Sequence, residues 1–288
     1  MSGLEGIKKS IDSAEGLRTI VNTMKAHASS NINQFQNAAK ASMEYRKVLD
    51  MSLYVVLSNE DDEDVLPLDE VKNGNTLHIV FGSDHGLAGR FNERITSFAL
   101  EKIWQNEDDK VIVIGQQIRQ RLKDDFDIYK MFMQPQSIDN ISTRVNELLV
   151  EIDEIRDKLA IEKIILYYNK PADNSTFTEE TELLFPIDLL ALAKNKMEWE
   201  SKSIPTYFVE KQVIISDLIR QYFFISLYRA FCYSLASENA SRLDSMQSAE
   251  KNIDNRLEEL NFLFRQERQN SITEELNDII SGFKAIQQ

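Results

Sequence analysis

The stretch 206–288 reads TYFVEKQVIISDLIRQYFFISLYRAFCYSLASENASRLDSMQSAEKNIDNRLEELNFLFRQERQNSITEELNDIISGFKAIQQ and contains no proline and a single glycine, Gly282. Apolar residues recur in it every seven positions, interrupted once by the polar residue Asn239. The repeating set comprises Leu218, Ile225, Cys232, Met246, Ile253 and Leu260. Such a repeat is typical of a helix that supercoils with another helix. A helix over 210–281 would be roughly 105 Å long, so the pattern predicts a long helical partner.

The repeat also contains charged residues. Arg229 and Glu250 fall on the apolar face, and beyond Leu260 the repeat continues with Glu267. A helix pair that is stable by itself does not place charges at core positions, although one polar residue such as Asn239 can set the register. The pattern therefore predicts that the last part of this helix meets a different surface.

The predicted partner helix lies near the other end of the sequence, where residues 17–66 contain neither glycine nor proline. Its seven-residue series comprises Ile7, Ala14, Val21, Ala28, Phe35, Ser42, Leu49 and Val56. Two helices at opposite ends of a chain pair most simply in antiparallel orientation, with the intervening residues inserted between them. The sequence therefore predicts helices within 1–58 and 206–288 and one inserted domain at 74–200. The alternative is two independent amphipathic helices on a globular domain.

The inserted residues change from a period of seven to short apolar runs, and all five prolines lie between residues 67 and 205. The runs predict strands at 76–81, 111–114, 164–168 and 180–186. Helical patterns lie between them at 91–103, 116–124 and 141–160. Strands that alternate with helices form a mostly parallel sheet. The predicted fold class is α/β with a long helical extension, in which an antiparallel coiled coil of the N- and C-terminal helices carries an inserted Rossmann-like α/β domain.

The distribution of charge excludes nucleic acid as a partner. Of the formal net charge of −14, residues 51–205 carry −13, whereas 1–50 carry +2 and 206–288 carry −3. Nucleic-acid binding depends on Lys and Arg that neutralise phosphates. The acidic inserted domain does not offer such a surface.

The sequence also predicts no cofactor, no metal site and no direct membrane insertion. The single cysteine, Cys232, cannot form an intrachain disulfide and favours a cytosolic compartment. His27, His78 and His85 have no recognised ligand spacing. No apolar run approaches the ~20 residues of a membrane span, and the first ten residues lack the apolar core of a signal peptide.

A glycine-rich loop follows the first predicted strand, with Gly82, Asp84, Gly86 and Gly89 as its distinctive residues. Its spacing matches neither the dinucleotide motif nor the phosphate-binding P-loop, and Asp84 would repel a phosphate. We interpret the loop as a structural turn that requires positive φ and close backbone contact. The alternative is a nucleotide-binding α/β enzyme with a coiled-coil appendage.

Three blocks of this sequence resemble the γ subunit of rotary F-type ATP synthases. Residues 11–26 are similar to the family's N-terminal helix, and GSDHGLAGRFN at 82–92 is similar to its T-S-D-[RQK]-G-L-[CAV]-G-x-[FLY]-N. SENASRL at 237–243 resembles S-E-x-A-A-R-M, and residues 268–279 resemble R-Q-x-x-I-T-x-E-L-x-E-I. The blocks occur in the family's order and cover nearly the whole chain.

The sequence departs from that family in its first helix. Glu15-Gly16-Leu17-Arg18 stands where N-T-Q-K is usual. Residues 19–34 look more like the divergent branch called N-type, or alternate F-type, ATPases, whose members are thought to pump Na⁺ or H⁺. The sequence leaves open which ion is transported and whether ATP is made or hydrolysed.

The resemblance implies a non-catalytic rotor subunit, the central stalk of an ATP synthase or ATPase on the cytoplasmic face of the cell membrane. Its partners would be the α and β subunits of the catalytic ring, the ε subunit and the membrane c-ring. The shaft would couple ion flow through the c-ring to ATP synthesis or hydrolysis on the β subunits. A coiled-coil scaffold unrelated to rotation is a further alternative, which the glycine-loop block disfavours.

The resemblance also implies which residues contact the α/β ring. Met24 and Arg242 match positions at the level of the β subunits' acidic lever segment. Arg268, Gln269 and Thr273 match positions that contact ring loops near the top of the shaft. The apolar residues Ile279, Ile280 and Phe283 would run in the hydrophobic bearing of the ring.

Overall fold

A computed structural model describes residues 2–57, 74–103, 109–172, 177–188 and 206–286. The elements in chain order are α1 (Ser2–Leu57), β1 (Asn75–Phe81), α2 (Phe91–Lys102), β2 (Lys110–Ile114), α3 (Gln116–Leu122), β3 (Ile128–Phe132), α4 (Ile138–Leu159), β4 (Ile161–Pro171), β5 (Phe177–Phe185) and α5 (Lys211–Ile286). The chain divides into two compact units, one formed by Met1–Ser29 with Arg242–Gln288 and the other by Ser30–Ser241.

The five strands form one sheet in the order β3-β2-β1-β4-β5. β1 pairs in parallel with β2 and β4, β2 pairs in parallel with β3, and β5 runs antiparallel to β4. Strand β3 is not predictable from the sequence pattern, because Tyr129 and Lys130 interrupt its apolar residues and half of this edge strand faces solvent. The strand predicted at 180–186 is β5, which begins earlier, at Phe177.

Both faces of the sheet are covered, because alternate residues of each strand point to opposite sides. One face buries Val80 against α2 and α3. The other face buries Phe81 against α4 and α5, together with residues of α1 such as Phe35. The ring of Phe231 on α5 meets that of Phe81 edge-on, with the centroids 5.0 Å apart. Within the second unit, both long helices therefore share the hydrophobic core on one face of the sheet, and α2 and α3 form a separate core on the other face.

The buried residues of α1 follow the predicted seven-residue repeat: Ala14, Val21, Ala28, Phe35, Ser42, Leu49 and Val56. In the first unit, Arg18 Nε lies 3.1 Å from Asp254 Oδ1, and Lys25 forms an ion pair with Glu250. The residue number on α5 falls as the number on α1 rises, so these segments run antiparallel.

The two long helices also run antiparallel within the second unit. Tyr233 on α5 donates a hydrogen bond to the sulfur of Met43, and Arg46 Nη1 donates to Ser226 Oγ at 2.9 Å. The number on α5 again falls as that on α1 rises. The predicted combination of an antiparallel helix pair and an α/β domain is confirmed.

The charged and polar residues on the apolar face of α5 have partners on other elements or on their own helix. Glu250 pairs with Lys25 of α1, and Arg229 pairs with Glu182 of β5. Asn239 is buried and its Nδ2 donates to the backbone oxygen of Leu235, one turn earlier in the same helix. The charges at core positions are therefore neutralised by residues that the repeat alone does not reveal.

Candidate functional site

The Asp84 side chain joins three segments at the carboxyl ends of the parallel strands. Its Oδ1 accepts a hydrogen bond from the backbone N–H of Gln116 at 3.0 Å, and its Oδ2 accepts one from Gln134 at 2.9 Å. Gln116 begins α3, and Gln134 follows β3. Asp84 is 4% exposed. Both carboxylate oxygens therefore accept hydrogen bonds from the backbone of other segments.

The glycines of this region have different surroundings. A Cβ at Gly82 would lie 2.5 Å from Cβ of Ile118. Gly89 has φ of 53°, which favours glycine. At Gly86 an added Cβ meets nothing within 4 Å. Gly115, which was not selected from the sequence as a site residue, combines positive φ with a close backbone approach: its φ is 106°, and a Cβ there would lie 2.7 Å from the backbone of Ser83.

Helix α5 packs directly on the glycine-rich loop. Ser241 Oγ donates to the backbone oxygen of Ala88 at 2.7 Å, and Ser237 Oγ donates to that of Asn169 on β4 at 3.1 Å. Asn169 in turn donates to the backbone oxygen of Phe91 at 3.3 Å. Open α/β sheets bind ligands in the crevice at the carboxyl ends of the strands, where the strand order reverses. Here the protein's own helix occupies the surroundings of β1 and β4, which disfavours the nucleotide-binding alternative.

These contacts also bring together two stretches that are far apart in the sequence. Residues 82–92 and 237–243, which carry two of the blocks of family resemblance, meet through the bond from Ser241 to Ala88. Each stretch is recognisable in the sequence, but the contact between them was not predicted. Serines four residues apart lie on the same face of a helix, and this spacing is the signal that could have indicated a shared docking surface.

The last part of α5 extends beyond the start of α1. A Cβ on Gly3, near the beginning of α1, would lie 3.3 Å from Glu267 Oε1 of α5. Arg268, Gln269 and Thr273 follow, and all three are exposed. No hydrogen bond or ion pair joins the Arg268 guanidinium to any residue that the structure describes. These three predicted contact residues therefore stand on a helix segment that leaves them accessible.

An apolar stripe follows the same segment of α5. Its described members are Ile272, Leu276, Ile279 and Ile280, each about half exposed. Residues at this spacing lie on one face of a helix. Phe283 continues the series on α5, but its side chain lies outside the described part of the chain. Exposed apolar patches are typical of surfaces that bind a partner.

The remaining predicted contact residues, Met24 and Arg242, are half-buried on α1 and α5 respectively. Lys25, next to Met24, pairs with Glu250. Both residues belong to the unit formed by the helix ends. Their side chains are less accessible than that of Arg268.

A cluster of buried titratable groups lies between the sheet and α2. His78 Nδ1 lies 3.0 Å from the hydroxyl oxygen of Tyr167, and His78 Nε2 lies 3.9 Å from Asp109 Oδ2. The other oxygen of Asp109 accepts a hydrogen bond from the backbone N–H of Thr76. Burial lowers the pKa of His78 to about 4, although the negative charge of Asp109 acts in the opposite direction. Burial also raises the pKa of Tyr167 to about 12.

The His78 cluster leads to a prediction about acid stability. Because the pKa of His78 is about 4 in the folded protein and 6.5 without burial, the unfolded chain binds a proton first as the pH falls. The stability associated with neutral His78 is therefore complete above pH 6.5 and decreases towards pH 4, by about 2–3 kcal/mol. We expect His78→Gln to make the free energy of unfolding less dependent on pH in this range. Urea titrations at several pH values measure the difference.

The exposed histidine of the loop supplies the control for this prediction. Because His85 is exposed, His85→Gln should leave the free energy of unfolding at neutral pH nearly unchanged. Equal slopes for His78→Gln and the unchanged protein between pH 6.5 and pH 4 would show that other groups cause the acid sensitivity.

Within the described ranges, no helix is long and apolar enough to span a membrane. The same residues contain no group of three or more His, Cys, Asp or Glu side chains placed to hold a metal ion. The end of α5 is the accessible surface with the clearest functional character, because it presents an exposed apolar stripe and the exposed Arg268.

The fold and this surface define a class of protein that combines two long helices, antiparallel within each unit, with an α/β sheet domain, and in which one helix presents an exposed end. The sequence model of a family described as ATP synthase matches residues 3–286. The ATP synthase gamma chain of Geotalea uraniireducens is 30% identical over 99% of both chains, and that of Mycoplasmopsis agalactiae is 24% identical over 99% of this chain and 100% of its own.

Solved structures show the same fold. A chain of the Euglena gracilis mitochondrial ATP synthase, in a structure of its OSCP, F1 and c-ring, has a TM-score of 0.68 at 14% identity and covers 99% of this chain and 95% of its own. A chain of the Tetrahymena thermophila central stalk and c-ring has a TM-score of 0.54 at 18% identity, covering 80% and 99%. This chain belongs to the ATP synthase gamma-chain family, whose members are subunits of ATP synthase.

Proposed function

We propose that this chain is the central-stalk rotor subunit of a rotary F-type ATP synthase or ATPase. It couples ion flow through the membrane c-ring to ATP synthesis or hydrolysis in the ring of α and β subunits. The single observation that carries this proposal is the end of α5, where an exposed apolar stripe and accessible polar residues extend past the start of α1. The nucleotide-binding alternative is disfavoured, because α5 packs over the loop where a ligand would enter.

The shaft acts without forming bonds to nucleotide, and catalysis takes place on the β subunits. An asymmetric helix pair inside the ring contacts each β subunit differently. A partner that binds two conformations with different free energies shifts their populations. Turning the shaft therefore changes the nucleotide affinity of each catalytic site in sequence.

Within this mechanism, Arg268, Gln269 and Thr273 contact loops of the α/β ring. Ile279, Ile280 and Phe283 form the part of the stripe that turns in an apolar bearing. The half-buried Met24 and Arg242 contact the β subunits lower on the shaft. The exposure of Arg268 and of Ile279 supports the first two assignments.

The same rotor role assigns a function to the other parts of this chain and a place to it in the complex. The parts at 1–58 and 206–288 are the shaft, and 74–200 is a domain that contacts the ε subunit and the c-ring. The complex lies on the cytoplasmic face of the cell membrane, with this chain peripheral to it. We assign the chain to the N-type branch, on the residues of its first helix.

Replacing Arg268 by leucine tests the role of the helix end. The variant loses a charge-assisted hydrogen bond to the ring, an interaction worth about 1.5–3 kcal/mol. We expect several-fold lower ATP turnover by the assembled complex, or weaker assembly. The melting temperature of the free chain should stay the same, because Arg268 is exposed and lies beyond the helix pair. Turnover, complex yield and melting temperature are measured side by side.

Arg265→Leu is the matched control. Arg265 is also exposed on α5, but its Nε donates to the backbone oxygen of Asn261 in the same helix. The substitution Arg265→Leu should therefore have little effect on ATP turnover by the assembled complex. If Arg265→Leu and Arg268→Leu reduce turnover equally, the effect is a general loss of helix charge and the assigned contact is wrong.

A further inference from the structure

Three elements meet at the carboxylate of Glu182. Arg229 Nη2 of α5 lies 2.5 Å from Glu182 Oε1, and the hydroxyl of Tyr168 on β4 donates to Glu182 Oε2 at 2.8 Å. The Arg229 and Glu182 side chains are only 17% and 20% exposed. Burial and the charge of Glu182 raise the pKa of Tyr168, so its hydroxyl remains a donor at neutral pH. We call Tyr168, Glu182 and Arg229 the polar clamp.

The polar clamp differs in kind from the apolar contacts around it. Phe231 packs edge-on against Phe81, and Phe223 packs edge-on against Phe185. Apolar contacts are non-directional, and packed helices can slide by small shear movements. A charge-assisted hydrogen bond is directional and has a narrow range of favourable distances. The clamp therefore resists sliding of α5 along the sheet more specifically than the rings do.

The other acidic side chains of β5 have partners outside α5. Glu179 pairs with Arg94 of α2 at 2.5 Å, and Glu180 pairs with Lys170 of β4 at 2.9 Å. Glu180 and Glu182 are two residues apart, so they lie on the same face of the strand. Of these three acids, Glu182 is the one that forms its ion pair with α5.

We propose that the polar clamp fixes the rotational and axial register of α5 on the α/β domain and transmits torque between them. Tyr168, Glu182 and Arg229 are then positioning residues for coupling, and none of them contacts nucleotide. The inference rests on the proposed rotor function. Torque from the membrane side enters the α/β domain and leaves through the two long helices packed on it, and the clamp is on α5. A loosened register of α5 therefore lets the domain turn without moving the shaft fully.

The test uses the complete complex in sealed vesicles, where ATP hydrolysis generates a membrane potential. A potential-sensitive dye reports pumping for either Na⁺ or H⁺. We expect Glu182→Gln and Arg229→Met to lower the potential formed per ATP hydrolysed by roughly twofold or more, because each breaks a largely buried charge pair. The loss of potential formed per ATP hydrolysed should become larger when an opposing membrane potential is imposed. The rate of ATP hydrolysis at zero potential should be unchanged.

Two further variants make the result specific. Glu180→Gln removes a neighbouring acid of the same strand and face, and it should leave the coupling ratio unchanged. The exchanged pair Glu182→Arg with Arg229→Glu should restore part of the lost coupling, since it reverses the ion pair rather than removing it. Tyr168→Phe, which removes a single hydroxyl group, should also lower the potential formed per ATP hydrolysed, but by less.

Two outcomes overturn the inference. The first is an unchanged coupling ratio in Glu182→Gln at every imposed potential. The second is a parallel loss of hydrolysis, coupling and melting temperature, which would make the clamp a contributor to folding only. Failure of the unchanged chain to support ATP-driven potential would contradict the proposed rotor function itself, so the two failures are distinguishable.

Discussion

Replacing Gly115 by alanine is expected to lower the free energy of unfolding by roughly 3–5 kcal/mol. The backbone at this residue has φ of 106°, which alanine rarely adopts, and its Cβ would lie 2.7–2.8 Å from the backbone N, C and O of Ser83. Backbone atoms of Ser83 cannot move aside easily, because its N–H is bonded to Asn92 and its carbonyl oxygen accepts from Gln117. Urea unfolding followed by far-UV circular dichroism measures the change.

Gly86→Ala is the matched control for this substitution. Gly86 lies in the glycine-rich loop, where an added Cβ would meet no atom within 4 Å. Its free energy of unfolding should change by less than about 0.5 kcal/mol. If Gly115→Ala is as mild as Gly86→Ala, the backbone at residue 115 adapts and the close approach to Ser83 is not restrictive.

Replacing Asp84 by alanine is expected to cost about 3–5 kcal/mol. The substitution leaves two backbone N–H groups, of Gln116 and Gln134, without their acceptor, and each unsatisfied buried donor costs about 1–3 kcal/mol. Asp84→Asn should be intermediate, because its amide keeps one acceptor oxygen. Hydrogen exchange should accelerate at the amides of Gln116 and Gln134 before it does so elsewhere in the sheet.

His85→Ala serves as the control for Asp84→Ala, since His85 is the adjacent exposed residue of the same loop. It should leave both the free energy of unfolding and the exchange of the two amides nearly unchanged. Equal exchange rates at Gln116 in Asp84→Ala and in the unchanged protein would contradict the role of this carboxylate in joining the strand ends.

The large elements of the fold could be predicted from the sequence, whereas one strand could not. Helix α1 buries residues at the predicted spacing from Ala14 to Val56, because a seven-residue repeat reports which side of a helix is covered. Strand β3 lies at the sheet edge and is covered on one side only. Tyr129 and Lys130 are exposed there, so the strand lacks the apolar run that identified its buried neighbours.

The candidate site was predictable in part. Arg268 and Ile279 were selected because they match positions of the family that the sequence resembles. The charges that replace the apolar repeat beyond Leu260 predicted that this part of the helix meets a different surface. The polar clamp could not be selected, because Glu182 and Arg229 are separated by 47 residues and nothing local marks them as partners. Arg229 looked like an isolated charge on an apolar face until the position of β5 was known.

The sequence by itself determined the two long helices, their antiparallel pairing and the α/β class of the inserted residues. The helices and the α/β class depend on local periodicity, which the order of apolar and polar residues records directly. The antiparallel pairing follows from the positions of the two helices at opposite ends of the sequence. Only the tertiary structure decided which groups meet: Asp84 with Gln116 and Gln134, and Arg229 with Glu182. The physical reason is that a hydrogen bond or ion pair needs its atoms within about 3 Å. Such a distance between remote segments is set by the packing of the whole core.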